Sequence, residues 1–221
     1  MSIFEQLQLE EALLRAADQN FCITNIGSPR TIVMGISGDP SVHLDLPRVR
    51  QDHIPIVQRF SGGGTVIVDE STLLTTFIFS KEALNIPAFP EPILHWSTDL
   101  YTAAWRIPAF RLAENDYIIH NHKCGGNAQY IQKGRWLHHT SFLWDYSPQN
   151  MHYLHLPPKR PKYRQDRPHE EFLCRLKDHT PHDPHQLITS LEQELSKQFD
   201  LIPLEGEGWQ DRPHRKTTKY L

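Results

Sequence analysis

Gln58-Arg59-Phe60-Ser61-Gly62-Gly63-Gly64-Thr65-Val66-Ile67-Val68-Asp69 joins two apolar runs through three consecutive glycines. Without a Cβ, each glycine can take a positive φ, bring backbone close to another group and turn its amide toward a ligand. The preceding Arg59 is placed to meet a negative charge. Two readings fit these residues: a turn that cradles an anion, and a flexible connection between two strands that binds nothing. In both, residues 54–60 and 65–68 are β-strands, so the chain is built around a sheet.

Working outward, Ile3, Phe4, Leu7, Ala12, Leu13, Leu14 and Ala16 recur at helical intervals, which predicts an amphipathic helix over residues 3–19. Short β-rich runs follow at 21–26, 31–36 and 73–79, each bounded by Gly, Pro, Asp or Ser. Residues 92–105 read as a helix opening on Pro92, and further strands are expected at 109–112, 117–120, 127–132 and 136–144. Lys133-Gly134-Arg135 is the hairpin turn between the last two. The period of two predicts that Asn127 and Gln129 line one face while Ala128 fills the core, and that His138 and His139 face opposite ways, His139 being favoured for the ligand side. After Tyr146 the character changes. Residues 156–168, with Lys159, Arg160, Lys162, Tyr163, Arg164 and Arg167, form a Pro-rich basic loop in which no regular element is expected. Helices are expected at 168–178 and 184–199, and residues 209–221 read as a polar tail. The fold class is α+β, a mixed or antiparallel sheet with flanking helices in a single domain.

Composition excludes little. The 221 residues suffice for one domain with a full core. A net charge of −3 gives no basic footprint for nucleic acid or an anionic membrane surface. No apolar run approaches the roughly 20 residues that span a bilayer, and the N-terminus is acidic and amphipathic, so a cytoplasmic protein is expected. Cys22, Cys124 and Cys174, scattered and odd in number, suit reduced thiols. His120, His122 and Cys124 alternate along one stretch, but no fourth ligand at a recognised zinc spacing follows.

A second segment narrows the function. Lys123-Cys124-Gly125-Gly126-Asn127-Ala128-Gln129 follows the apolar run Tyr117-Ile118-Ile119 and precedes Trp136-Leu137-His138-His139-Thr140-Ser141-Phe142-Leu143-Trp144. Together, Arg59-x-Ser61-Gly62-Gly63-Gly64-Thr65-Val66, then Asn115-Asp116, then Lys123-x-x-Gly126-x-Ala128, then His138-His139-x-Ser141-x-Leu143 resemble the lipoate-protein ligase family, which shares its catalytic domain with biotin ligases and octanoyltransferases. The resemblance runs from about residue 5 to about residue 144, and it implies the catalytic-domain fold of those ligases.

The resemblance also implies a chemistry. Lipoate and ATP, the latter bringing Mg²⁺, give lipoyl-AMP and pyrophosphate, and a lysine of an acceptor lipoyl domain then attacks the anhydride. The acceptors implied are the acyltransferase subunits of 2-oxo-acid dehydrogenases and the carrier protein of glycine cleavage. Both steps build charge on oxygen, so electrostatic positioning is expected to dominate. Lys123 matches the family's catalytic lysine. Arg59 is expected near carboxylate or phosphate, with Ser61, Gly62, Gly63, Gly64, Thr65 and Val66 around the acyl chain and adenylate. Asn115, Asp116, Gly126, Asn127, Ala128 and His139 complete the implied site, Asp116 at the ribose or adenine. Asp69 reads equally as an orienting residue and as a turn carboxylate.

Departures are visible too. Val68 stands where the family often has histidine, and Gly125 where it often has serine. The chain has no room for the C-terminal accessory domain of many bacterial members, so a separate protein supplying it is a further expected partner. Two rival functions remain: an octanoyl or lipoyl transferase whose donor is pre-formed lipoyl-AMP or an acyl carrier, the latter through a thiolate for which Cys124 is the candidate, and a non-catalytic binder of lipoyl-AMP or a lipoyl domain.

Overall fold

The computed structural model describes residues 1–204 and 208–221. Its centre is a six-stranded antiparallel sheet in the order β1 (Phe21–Ile26), β5 (Thr72–Ser80), β9 (Arg135–Leu143), β8 (His122–Ile131), β7 (Asp116–Ile119), β6 (Phe110–Ala113). A smaller mixed sheet runs β10 (Lys219–Tyr220), β3 (Ile56–Gln58), β2 (Thr31–Met34), β4 (Thr65–Val68), with β2 and β3 parallel. The expected α+β architecture is therefore present. β5 is buried along almost its whole length because both faces of the large sheet are covered.

One face carries α4 (Pro90–Trp105) and α6 (Pro184–Leu195), packed on Phe77, Phe79, Tyr117, Trp136 and Phe142. α4 opens with Pro90 in its first turn and ends where Arg106 takes a left-handed φ of 50°. The opposite face is covered by α1 (Ile3–Ala16), whose Leu13 and Leu14 meet Phe60, Ile78 and Leu137. Ser2 and Glu5 form a reciprocal capping box that starts this helix.

Four expectations need correction. The helix at 168–178 is one turn, α5 (His169–Phe172), and a 3-10 turn at Leu176–Asp178, because the chain between them is extended and Cys174 N donates to Lys123 O of β8 at 2.9 Å. Two short helices, α2 (Pro40–His43) and α3 (Leu46–Gln51), were not anticipated, although Asp39 and Asp45 cap them with proline in each first turn. The basic loop holds a 3-10 turn at Lys162–Arg164. The polar tail is docked: β10 pairs β3, Tyr220 stacks on Phe4 at 4.2 Å, and the Glu11 carboxylate accepts the amides of Thr217 and Thr218, each at 3.0 Å. No helix of the described residues is long and apolar enough to cross a membrane.

On the α4 side of the large sheet, His138 is completely buried. Its Nε2 meets Tyr117 Oη at 2.8 Å, and its Nδ1 meets Gln129 Nε2 at 3.2 Å. Burial pushes its pKa down from 6.5 to about 3. The folded state then resists a proton that the unfolded chain takes up near 6.5, so stability is full above that pH and is lost as pH falls toward 3. His169, lowered by burial to about 4, adds in the same direction. Unfolding free energies measured by denaturant titration from pH 7 to pH 4 are expected to fall by up to about 1.4 kcal/mol per pH unit for each such histidine, and His138→Gln should flatten the slope by one proton's worth.

Candidate active site

The glycine loop leaves β3 and enters β4. Arg59 is 5% exposed and lies beneath the loop. Its Nη2 donates to Gly62 O at 2.7 Å and Gly64 O at 2.9 Å, and its Nε donates to Ser61 Oγ at 3.0 Å. Burial lowers its pKa to about 10, against the pull of Glu10, so the guanidinium remains a cation at neutral pH. Arg59 thus holds the loop from inside. Its Nε and Nη2 are turned to the loop itself, beneath the face where a ligand was expected.

The carbonyls being drawn inward, the amides are left outward. Among the described residues, none of the Gly62, Gly63 and Gly64 amides donates a hydrogen bond. A Cβ built on Gly62 or Gly64 meets nothing within 4 Å, whereas one on Gly63, at φ +98°, falls 2.7 Å from Arg59 Nη2 and 3.3 Å from the Ala128 Cβ. Gly63 is thereby required by conformation, and Gly62 and Gly64 border open space. Successive amides of this kind form an anion-binding concavity. Thr65 Oγ1, beside them, is buried without a hydrogen-bond partner among the described residues. Val66 pairs with Val33 and is half-buried.

Lys123 stands on β8, and its Nζ meets Asp116 Oδ1 at 2.7 Å. The other oxygen of Asp116 accepts Tyr163 Oη at 2.9 Å. Tyr163 belongs to the basic loop, which Glu114 fixes by accepting Lys162 N at 2.6 Å. Burial, reinforced by Asp116, raises the Tyr163 phenol so that it stays a donor. Asp116 therefore directs the lysine, and both its oxygens are occupied. A Cβ on Gly126 would lie 3.2 Å from Lys123 Nζ, so the ammonium rests over a glycine that gives it room.

Gly126 and Ala128 point to the same face of β8, and Gly63 packs against Ala128. Lys123 Nζ and the glycine loop therefore share a face, about 7 Å apart by the strand repeat. His139, paired with Ala128, joins them and reaches Ser61 Oγ at 3.0 Å through Nε2. The alternation of the two histidines is as expected. That of β8 is the reverse: Ala128 faces the site, while Gln129 turns to the α4 side and donates to Pro90 O at 3.1 Å. Asn127 is held at the rim, donating to Asn115 O at 2.7 Å.

Asp69 lies at the far end of β4, where it accepts from Ser71 N and from Asn150 Nδ2, and it acts as a turn carboxylate. Cys124 is fully buried on the α4 side, and burial raises its thiol well above the ordinary range, so no thiolate is available there. Cys22 is likewise pushed up to about 12. No group of three or more His, Cys, Asp or Glu side chains among the described residues is arranged to hold a metal. A Mg²⁺ ion here would have to be held largely by nucleotide phosphates.

Two residues of the site were missed. Glu10 lies on the buried stripe of α1 with its Oε2 2.8 Å from His139 Nδ1. A glutamate recurring in step with Ile3, Leu7 and Leu14 is the signal that was available. Tyr163 carried none, because its partner is 47 residues away.

Comparison with known proteins agrees with this fold. The fold is that of a bipartite lipoate-protein ligase from Thermoplasma acidophilum, solved in work on that ligase and its E2 lipoyl domain, with a TM-score of 0.77 and 18% identity over 94% of this chain and 84% of that one. It is equally that of a lipoate-protein ligase A solved with ATP, at a TM-score of 0.77 and 15% identity over 94% and 86%. In sequence, the inactive lipoate-protein ligase 2 of Plasmodium falciparum is 29% identical over 236 residues, covering 79% of this chain and 61% of that protein. The lipoyl protein ligase A/B catalytic domain model matches residues 2–199, and the chain belongs to that family.

The glycines differ in what they permit. Gly63→Ala, forced into positive φ and against Arg59, should cost about 1–3 kcal/mol, whereas Gly64→Ala should leave stability within about 0.5 kcal/mol. Thermal unfolding of the two variants checks this.

Proposed function

We propose that this chain is a lipoate-protein ligase that activates lipoate with ATP and transfers the lipoyl group to a lysine of an acceptor lipoyl domain. The observation that carries the reading is the lysine ammonium of Lys123 on the same strand face as a loop of three free amides. In the first step the acid's carboxylate oxygen attacks the α-phosphorus of ATP, forming an acyl–O–P bond and releasing pyrophosphate. Charge gathers on the α-phosphate, where an ammonium and backbone amides stabilise it. In the second step an acceptor amine attacks the acyl carbon, AMP departs and an amide remains. Lys123 then serves the carbonyl oxygen, and its compact, rotatable donors suit both steps better than a planar guanidinium.

Asp116 keeps that ammonium aimed, with Tyr163 holding Asp116 from behind. Gly62, Gly63 and Gly64 would receive the adenylate linkage, and Thr65 and Val66 would border the acyl chain. The ligand named for one structural relative, ATP, supports use of the nucleotide. The E2 lipoyl domain named with the other supports that class of acceptor. Mg²⁺ accompanies ATP. A separate accessory protein is a candidate partner for the first step.

The inactive label of the Plasmodium relative gives weight to a second reading, a binder of lipoyl-AMP without turnover. Arg59, the open glycines and Lys123 in place favour catalysis. A thioester route through Cys124 is disfavoured by its burial.

Intact-mass measurement of an apo lipoyl domain incubated with the protein, lipoate and Mg-ATP, beside a reaction given lipoyl-AMP, tests the proposal. Acylation in both reactions is expected of a self-sufficient ligase, acylation with lipoyl-AMP alone of one needing a partner for activation, and acylation in neither overturns it. Lys123→Ala is expected to lower kcat/KM at least about 100-fold while shifting stability by less than about 1 kcal/mol, the ion pair being near the surface. Lys123→Arg should not restore activity.

A further inference from the structure

Glu10, His139, Ser61 and Arg59 form a single chain of hydrogen bonds whose direction can be read off. Glu10 is 1% exposed, and its Oε1 accepts Thr76 Oγ1 at 2.6 Å and Gln6 Nε2 at 2.9 Å. Its Oε2 lies 2.8 Å from His139 Nδ1. A carboxylate only accepts, so Nδ1 carries a proton. Ser61 Oγ already accepts from Arg59 Nε at 3.0 Å and is wholly buried, so its own hydrogen needs an acceptor. His139 Nε2, at 3.0 Å, is the one it meets. The Ser61 hydroxyl and both His139 ring nitrogens are satisfied when Arg59 donates to Ser61, Ser61 to His139 and His139 to Glu10.

Serine, histidine and carboxylate in this order are the parts of a nucleophilic triad. Attack by Ser61 does not fit, since its oxygen is 0% exposed and already receives the guanidinium. What the chain does reach is the backbone of the glycine loop. Ser61 immediately precedes Gly62, and the far end of the same guanidinium holds the carbonyls of Gly62 and Gly64.

We propose that Glu10 and His139 are positioning residues for the glycine loop: their ordered hydrogen bonds to Ser61, and the Glu10 charge opposite Arg59, aim the amides of Gly62 to Gly64. This rests on the functional reading above for what those amides bind, but not for the aiming itself.

Glu10→Gln keeps the size of the side chain and removes its charge. The control is Glu11→Gln, on the next residue of the same helix. Glu11 is as deeply buried, but it holds Thr217 and Thr218 and not the loop. In ligand-free protein, the amide NMR resonances of Gly62, Gly63 and Gly64 should be displaced in Glu10→Gln and Ser61→Ala and unmoved in Glu11→Gln. Resonances unmoved in Glu10→Gln, or moved equally in the control, would overturn the proposal. With active protein, kcat/KM for lipoate should fall about tenfold in Glu10→Gln, one charge-assisted hydrogen bond's worth, because the amides it aims stabilise the charge that develops on the α-phosphate. The Glu10→Gln, Ser61→Ala double variant should be no worse than either single one. Additive losses would count against a single chain. Absence of lipoyl transfer by the wild type would defeat the functional reading and leave the NMR result to decide this one.

Discussion

A buried guanidinium governs the rest of the site. Arg59 sits beneath the loop it precedes, and its donors take the loop's carbonyls and the Ser61 oxygen. A cation without partners at such depth is costly by several kcal/mol. The loop's path is what satisfies it. Because the carbonyls must turn in, the amides must turn out, and a chain that turns in this way needs Gly63 at φ +98°. The open face of the loop is therefore a by-product of how its underside is neutralised, and the charge of Glu10 acts on Arg59 there.

The large sheet keeps two polar systems apart. On one face His138 is locked, neutral, into Tyr117 and Gln129 beneath α4. On the other, its neighbour His139 links α1 to the loop. A shift of register by one residue would exchange them, and the long antiparallel pairing of β9 with β5 and β8 fixes that register. Gly125 adds a steric lock, since a Cβ there would stand 2.5 Å from the Phe142 ring. Lys123 owes its placement to the same strand, together with the irregular pairing between Tyr117 and Ile118 on β7.

Much of this was legible in the residues. Strand and helix periods located the sheet and the helices at 3–16, 90–105 and 184–195 closely, because those signals are local. The glycines and Lys123 stood out by composition and order. What stayed hidden depends on distant partners. The inward turn of Arg59 follows from carbonyls whose orientation no spacing reveals, and Tyr163 meets Asp116 only through a loop that reads as solvated charge. The face of β8 was read backwards because Asn127 and Gln129 are polar, and polarity was equated with the site. In this fold the α4 side has buried polar partners of its own. The tail was misread for a related cause: its polar residues are bound by a buried carboxylate on α1.

That last contact sets an order of assembly. Glu11 and Thr217 are 206 residues apart, while Glu10, one residue from Glu11, touches the loop's supporting chain. Contacts of such separation close late, after the loop-closure entropy of the intervening chain has been overcome. The clamp on Glu11 forms only when residues 217 and 218 meet α1, so it is among the last contacts of the fold to close.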